Sequence, residues 1–228
     1  MRFLIDIFLE PGRVFAALKD KPSFWLPLSL SIVLTVVMTL MYFGKVDSEW
    51  FVDHQLAASG KEMSASEIAQ AKQVMPSART MGYIGAPVGA LAIAFISALM
   101  ALYYMLAGRI TGAATSFRHG LSLATWSGMP GLLGLVVAII GIVGMSPQTS
   151  LESLMLTNFD PLLVQLPLDH AWNGLAERFS LLSLWSIFLA ALGWRTWGRT
   201  SWAEAVTVAS IPSVLVYGVM AIFALLKS

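Results

Sequence analysis

Residues 82–106 read GYIGAPVGALAIAFISALMALYYML and contain no Asp, Glu, Lys, Arg or His. An α-helix rises about 1.5 Å per residue, so about 20 apolar residues cross a hydrocarbon core about 30 Å thick. Lipid offers the backbone no hydrogen bonds, and a segment in the bilayer must satisfy its own polar groups by forming a helix. This stretch therefore predicts a transmembrane helix.

Further stretches without a charged residue or histidine cover residues 24–43, 121–145, 179–194 and 205–226. The whole chain is 57% hydrophobic and 12% charged, whereas soluble domains carry about 25% charged residues. Residues 179–194 would span only about 24 Å. The sequence predicts an all-α polytopic membrane protein, with five transmembrane helices in a single membrane domain covering residues 1–228.

The orientation follows from the basic residues of the short loops, because Lys and Arg are enriched on the cytoplasmic side. The loops at residues 108–120 and 195–204 are short and basic. This pattern predicts a cytoplasmic N-terminus and an extracytoplasmic C-terminus. Residues 44–81 and 146–178 are then extracytoplasmic, and Ser64-Ala65-Ser66-Glu67 within the first segment predicts a capping box at the start of a short helix.

The segment at residues 1–22 has apolar residues at helical spacing with charges between them. Glu10-Pro11 should interrupt the helix, with Pro11 starting the second piece. We expect an amphipathic helix in the cytoplasmic membrane interface, and a helix packed on the bundle is the alternative. The residues expected to face lipid headgroups are Arg2, Arg13, Lys19 and Lys21.

A pattern shared by the third and fifth predicted spans indicates an internal duplication. SFRHGLSLA at residues 116–124 parallels SWAEAVTVA at residues 201–209, and a proline follows each, Pro130 and Pro212. Spans two and three would then correspond to spans four and five as parallel tandem helix pairs. The alternative is convergence of two unrelated span starts on similar residues.

The duplicated pattern predicts a polar notch between the two helix pairs, opening toward the cytoplasm. Each proline would remove a backbone donor and free a carbonyl within its span. We name this hypothesis the cytoplasmic notch, and its residues are Ser116, Phe117, Ser122, Pro130, Ser201, Trp202, Thr207 and Pro212. The glycines of spans two and three are expected to pack against each other, with a homodimer contact as the alternative.

Three stretches resemble the Yip domain family, named for Ypt-interacting proteins. They are IFLEPGRVFAALKDKPSFWLPL at residues 7–28, FRHGLSLATWSGMPGLLG at residues 117–134 and LLSLWSIFLAALGWRTWGRTSWAEAVTVASIPSVLV at residues 181–216. The resemblance implies a five-span core, a bacterial-type member and a prokaryotic cytoplasmic membrane. Eukaryotic members act in vesicle trafficking with Rab-type GTPases, but this chain lacks their long soluble N-terminal region, so that connection is not carried over.

Enzyme chemistry has little support in the sequence. The three histidines lie in different segments, and the chain has no cysteine, HExxH, GxSxG, Walker lysine or GxGxxG. We expect no enzyme activity and no cofactor. The balanced net charge of +1 also argues against nucleic acid as a partner.

Two Asp-His pairs fall on the predicted outer face, Asp53-His54 and Asp169-His170. Carboxylate and imidazole are ligands for divalent metals such as zinc. If the two outer segments meet, these residues form a metal site. Otherwise Asp169 caps a helix and the histidines lie at the membrane interface.

The function expected from these features is a non-enzymatic membrane-organising or partner-binding scaffold that acts through the cytoplasmic notch. Its partners would be membrane lipid, another membrane protein or a second copy of the chain. One alternative is a transporter or lipid-handling protein for a neutral solute or lipid, since the spans lack the ionisable residues typical of ion coupling. The second is an outer-face metal-binding protein.

Overall fold

The computed structural model describes residues 2–58, 64–113 and 115–227, and its regular secondary structure there consists of helices. The helices of the first half are α1 (Arg2–Leu9), α2 (Pro11–Asp20), α3 (Trp25–Lys45), α4 (Ser48–Ala58), α5 (Ala65–Val74) and α6 (Ala78–Thr111). Those of the second half are α7 (Phe117–Ser127), α8 (Met129–Gly144), α9 (Leu151–Leu154), α10 (Phe159–Leu162), α11 (Asn173–Ala176), α12 (Leu181–Gly198) and α13 (Trp202–Lys227). The prediction of an all-α polytopic membrane protein is confirmed.

Within the described residues, three helices are long and apolar enough to cross a membrane, namely α3, α6 and α13. The pair α7 and α8 is bent by 41° and makes a fourth if it forms one span. The remaining predicted span corresponds to α12, which has 18 residues and carries Arg195 in its last turn. It would extend about 27 Å, short of the hydrocarbon thickness. The count of five therefore stays a prediction.

The break between α7 and α8 lies at Gly128, whose backbone N–H donates to the Ala124 carbonyl over 3.2 Å. Pro130 occupies the first turn of α8, where a helix does not need the missing N–H. The expectation that Pro130 removes a donor inside a continuous span is therefore wrong. It holds for Pro212, which lies inside the uninterrupted helix α13.

Gly82, Gly85 and Gly89 of α6 face α3. A Cβ on Gly82 would lie 2.6 Å from the Phe43 Cβ, and one on Gly89 would lie 3.4 Å from a Thr35 methyl. On α8, by contrast, Gly134 faces Thr157. The expectation that the glycines of spans two and three pack against each other is wrong, because α3 packs against the α6 glycines.

The N-terminal segment folds as predicted into two helices, with Pro11 at the first position of the second. Val14, Phe15 and Leu18 of α2 are buried in the main hydrophobic core. The Trp197 indole donates to the Phe15 carbonyl over 2.7 Å. The apolar face of α2 thus packs on the bundle, as the alternative interpretation of this segment described.

The short helices α4, α5 and α9–α11 belong to the two segments predicted to be extracytoplasmic, and we call their end of the bundle the capped end. The two segments meet there, since the Asp47 amide donates to the Pro147 carbonyl over 2.8 Å. The predicted capping box of α5 is confirmed. The Ser64 hydroxyl and the Ser64 backbone amide both donate hydrogen bonds to the Glu67 carboxylate. These bonds hold the pKa of that carboxyl below its ordinary value.

Candidate functional site

A cavity of about 260 Å³ lies between α6, the α7–α8 break, α12 and α13. We call it the serine cavity because five serine residues line it, together with small and apolar residues. The serines are Ser127, Ser180, Ser183, Ser186 and Ser213, and the other lining residues are Met100, Tyr104, Ala124, Gly128, Gly131, Ile187, Ala190, Ala209 and Pro212.

The serine hydroxyls suit neutral polar groups. Ser186 donates its hydroxyl proton to the Leu182 carbonyl over 3.2 Å, and Ser127 donates to the Ala124 carbonyl over 3.3 Å. A hydroxyl oxygen that has donated its proton keeps lone pairs that accept hydrogen bonds. The cavity therefore offers acceptor oxygens without placing a charge in the bundle.

A second, larger concavity opens on the side of α12 and α13, along the first half of α12 and from the middle of α13 toward the capped end. This lateral groove has a volume of about 590 Å³. Its lining is almost entirely apolar or aromatic and consists of Phe159, Leu175, Phe179, Leu184, Ile187, Ser210, Ser213, Val214, Tyr217, Gly218 and Ala221. Ile187 and Ser213 line both the groove and the serine cavity, so the two spaces adjoin.

A third space, the polar chamber, lies at the capped end and also has a volume of about 590 Å³. Its charged and titratable lining residues are His54, Glu152, Asp169, His170, Glu177, Arg178 and Lys227. The His54 Nε2 atom lies 3.6 Å from a Glu152 carboxylate oxygen. Burial, together with the nearby Glu152 carboxylate, raises the pKa of Glu177. Leu175 lines both this chamber and the lateral groove.

The two segments of the proposed duplication share their local structure at the start of α7 and α13. The Ser116 hydroxyl accepts the His119 amide over 3.4 Å, and the Ser201 hydroxyl accepts the Glu204 amide over 3.2 Å. Both serines thus bond the backbone of the first helical turn. The aromatic residues that follow, Phe117 and Trp202, are each 43% exposed.

The remaining residues of the cytoplasmic notch have different surroundings. Ser122 is fully buried and donates to the Ser23 carbonyl over 3.0 Å, whereas Thr207 is exposed and donates to the Ala203 carbonyl of its own helix. Of the eight residues of the cytoplasmic notch, Pro212 alone lines the serine cavity. The cavity therefore lies between the two helix pairs but is built from other residues.

The serines of α12 were missed by the sequence interpretation, although a signal for them was present. Ser180, Ser183 and Ser186 recur every three residues in the fourth predicted span. Residues three apart lie on the same side of a helix. In this chain the hydroxyl stripe lines the serine cavity.

The four residues of the metal hypothesis are only partly brought together. His54, Asp169 and His170 line the polar chamber, but Asp53 forms an ion pair with Lys72. No group of three or more His, Asp or Glu among the described residues is arranged to hold a metal ion. The expectation that Asp169 caps a helix leading into the fourth span is wrong, because the N-cap of α11 is Trp172 and that of α12 is Ser180.

The basic residues expected at the membrane surface differ in their contacts. Arg13 is exposed and pairs with Glu10 over 3.0 Å, which raises the pKa of its guanidinium. The Lys19 ammonium donates to the Trp197 carbonyl over 2.9 Å, and Lys21 is exposed. Arg2 begins α1, and its side chain lies outside the described residues.

Comparison with known proteins identifies the family of the chain. The Yip1 domain matches residues 5–223, nearly the whole chain. The chain belongs to the Yip1 domain family. It is similar to membrane protein YknW of Bacillus subtilis (strain 168), with 25% identity over 226 residues that cover 97% of this chain and 88% of the relative. No solved structure matches this Yip1-family chain.

Proposed function

We propose that this Yip1-family chain is a non-enzymatic membrane-organising protein that acts by binding lipid between its helices. The observation that carries the proposal is the adjacency of the serine cavity and the lateral groove, which share Ile187 and Ser213. A lipid needs apolar surface for its chains and hydrogen-bonding groups for the polar linkage that joins the chains to the head. The two spaces provide these in adjoining positions.

The groove is placed to receive an acyl chain. Leu184 and Val214 on its rim are 54% and 64% exposed, and both belong to helices of a membrane protein, where lipid tails cover such surfaces. Each methylene buried in an apolar groove contributes about 0.8 kcal/mol relative to water. Because a lipid tail in the bilayer is already out of water, retention in the groove depends on close packing and on the polar contacts at its end.

The sequence pattern supports an orientation in which the capped end is extracytoplasmic. The loop between α12 and α13 carries Arg199 and follows Arg195, and the loop between α6 and α7 follows Arg109. Basic residues of short loops favour the cytoplasmic side. The groove and the polar chamber would then face the outer leaflet of a prokaryotic cytoplasmic membrane.

A photoreactive lipid tests the proposal directly. The purified chain in vesicles containing a phospholipid with a photoreactive acyl chain should form adducts concentrated near Leu184, Val214 and Gly218. The exposed face of α6 around Phe95 and Ile96, which is 65% and 58% exposed at these residues, serves as the internal reference for ordinary bilayer contact.

Equal labelling of the α6 face and of the groove would contradict the proposal. The scaffold alternative predicts a different result. In that case a protein copurifies at fixed stoichiometry from native membrane and its crosslinks map to the serine cavity, where lipid adducts are absent. This result would assign the cavity to a partner helix instead of a lipid.

A further inference from the structure

We infer that the polar chamber is the headgroup site of the lipid held in the lateral groove, and that it selects a phospholipid whose head carries both a phosphate and a primary amine. This inference rests on the proposed function and adds the class of ligand. Leu175 lines both spaces, so they adjoin, as the binding of a single amphiphile in both would require.

The chamber contains side chains of both charge signs, which suits a lipid headgroup that carries one positive and one negative group. Arg178 and Lys227 supply cations that attract a phosphate. Carboxylates of Glu152, Asp169 and Glu177 line the same space and accept hydrogen bonds from an ammonium group. An anionic head without an amine would leave these carboxylates without a cationic partner on the lipid.

The half-buried carboxylate of Glu177 supports an ammonium ligand. The pKa of this residue is raised by burial and by the Glu152 carboxylate, so its ionised form is disfavoured in the chamber. A cationic group close to it would favour ionisation and restore an ordinary pKa. The side chain thus has a physical reason to prefer an amine beside it.

Two aromatic residues of the groove lie beside Arg178 of the chamber. The rings of Phe179 and Tyr217 meet edge to face with centroids 5.1 Å apart, and the Tyr217 hydroxyl donates to the Arg178 carbonyl over 3.3 Å. Aromatic side chains of this kind are enriched where membrane meets water. The headgroup and the chain of one lipid would separate at this level.

The test uses the full chain purified from bilayers containing phosphatidylethanolamine, phosphatidylglycerol and phosphatidylcholine in equal amounts, with the retained lipid identified by native mass spectrometry. We expect phosphatidylethanolamine to be retained about tenfold over the other two, the effect of one charge-assisted hydrogen bond. The double variant Asp169→Asn with Glu177→Gln should lose this preference. The control Glu49→Gln, which changes an exposed carboxylate outside the chamber, should keep it.

The outcomes distinguish failure of the headgroup site from failure of lipid binding itself. Lipid retained without preference, or with phosphatidylglycerol favoured, would overturn the headgroup assignment and leave lipid binding standing. A preference that survives the double variant would also overturn it. The absence of any retained lipid would contradict both this inference and the proposed function.

Discussion

At the scale of single residues, several polar side chains of the bundle bond the N-terminal segment. Ser122 and the Trp126 indole both donate to the Ser23 carbonyl, over 3.0 Å and 2.7 Å, and Trp197 donates to the Phe15 carbonyl. A buried polar group without a partner costs about 1–3 kcal/mol. These hydrogen bonds therefore satisfy the buried side-chain donors and the backbone carbonyls, and they hold the N-terminal segment on α7 and α12. Ser122 thus has a structural role rather than a role in a ligand site.

A glycine substitution tests the close contact between α6 and α7. A Cβ on Gly120 would lie 2.4 Å from the Ala101 carbonyl oxygen, which is backbone and cannot move aside alone. Gly120→Ala should separate α6 from α7 and destabilise the protein by about 1–3 kcal/mol, the usual cost of overpacking. Thermal unfolding in detergent measures the effect. Gly144→Ala, where a Cβ meets nothing within 4 Å, is the control, and equal stability of both variants would refute the contact.

At the scale of elements, uncharged runs and capping signals were sufficient to predict most helices. The run at residues 82–106 became part of α6, Pro11 began α2, and Ser64 with Glu67 formed the capping box. These features are local, because the backbone must bond within its own segment in lipid. Short sequence patterns were therefore sufficient to predict where most helices lie.

The partners of each helix could not be predicted in the same way. Lipid tails are as apolar as leucine, so an apolar face does not reveal whether lipid or another helix covers it. The glycines of α6 suited either α3 or α8, and α3 occupies that position. The serine cavity likewise joins α7, α12 and α13, and only their packing brings these hydroxyls together.

At the scale of the whole molecule, the described residues form a helical bundle with short helices at one end, and α2 packs on α7 and α12 near the other end. The spaces follow this arrangement, with the serine cavity in the bundle, the lateral groove beside it and the polar chamber at the capped end. A polarity gradient from chamber to groove is the property that an amphiphile would recognise.

The orientation of the bundle is open to a direct measurement. Single cysteines replacing Ser64 and Ser153 at the capped end should react with a membrane-impermeant thiol reagent added outside intact cells. Cysteines replacing Thr115 and Thr200 should react only after the membrane is opened. The native chain has no cysteine, so the background is clean, and outside labelling of Thr115→Cys would reverse the assignment.

The central claim, that lipid occupies the space between the helices, is tested most directly by filling that space at matched glycines. A Cβ at Gly131 in the serine cavity, at Gly218 in the lateral groove or at Gly144 outside both meets nothing within 4 Å, so a leucine can be introduced at each site without a clash at its Cβ. Lipid retained by the purified variants, counted by native mass spectrometry, should fall for Gly131→Leu and Gly218→Leu and match the wild type for Gly144→Leu. Equal lipid retention by all three variants would contradict the claim.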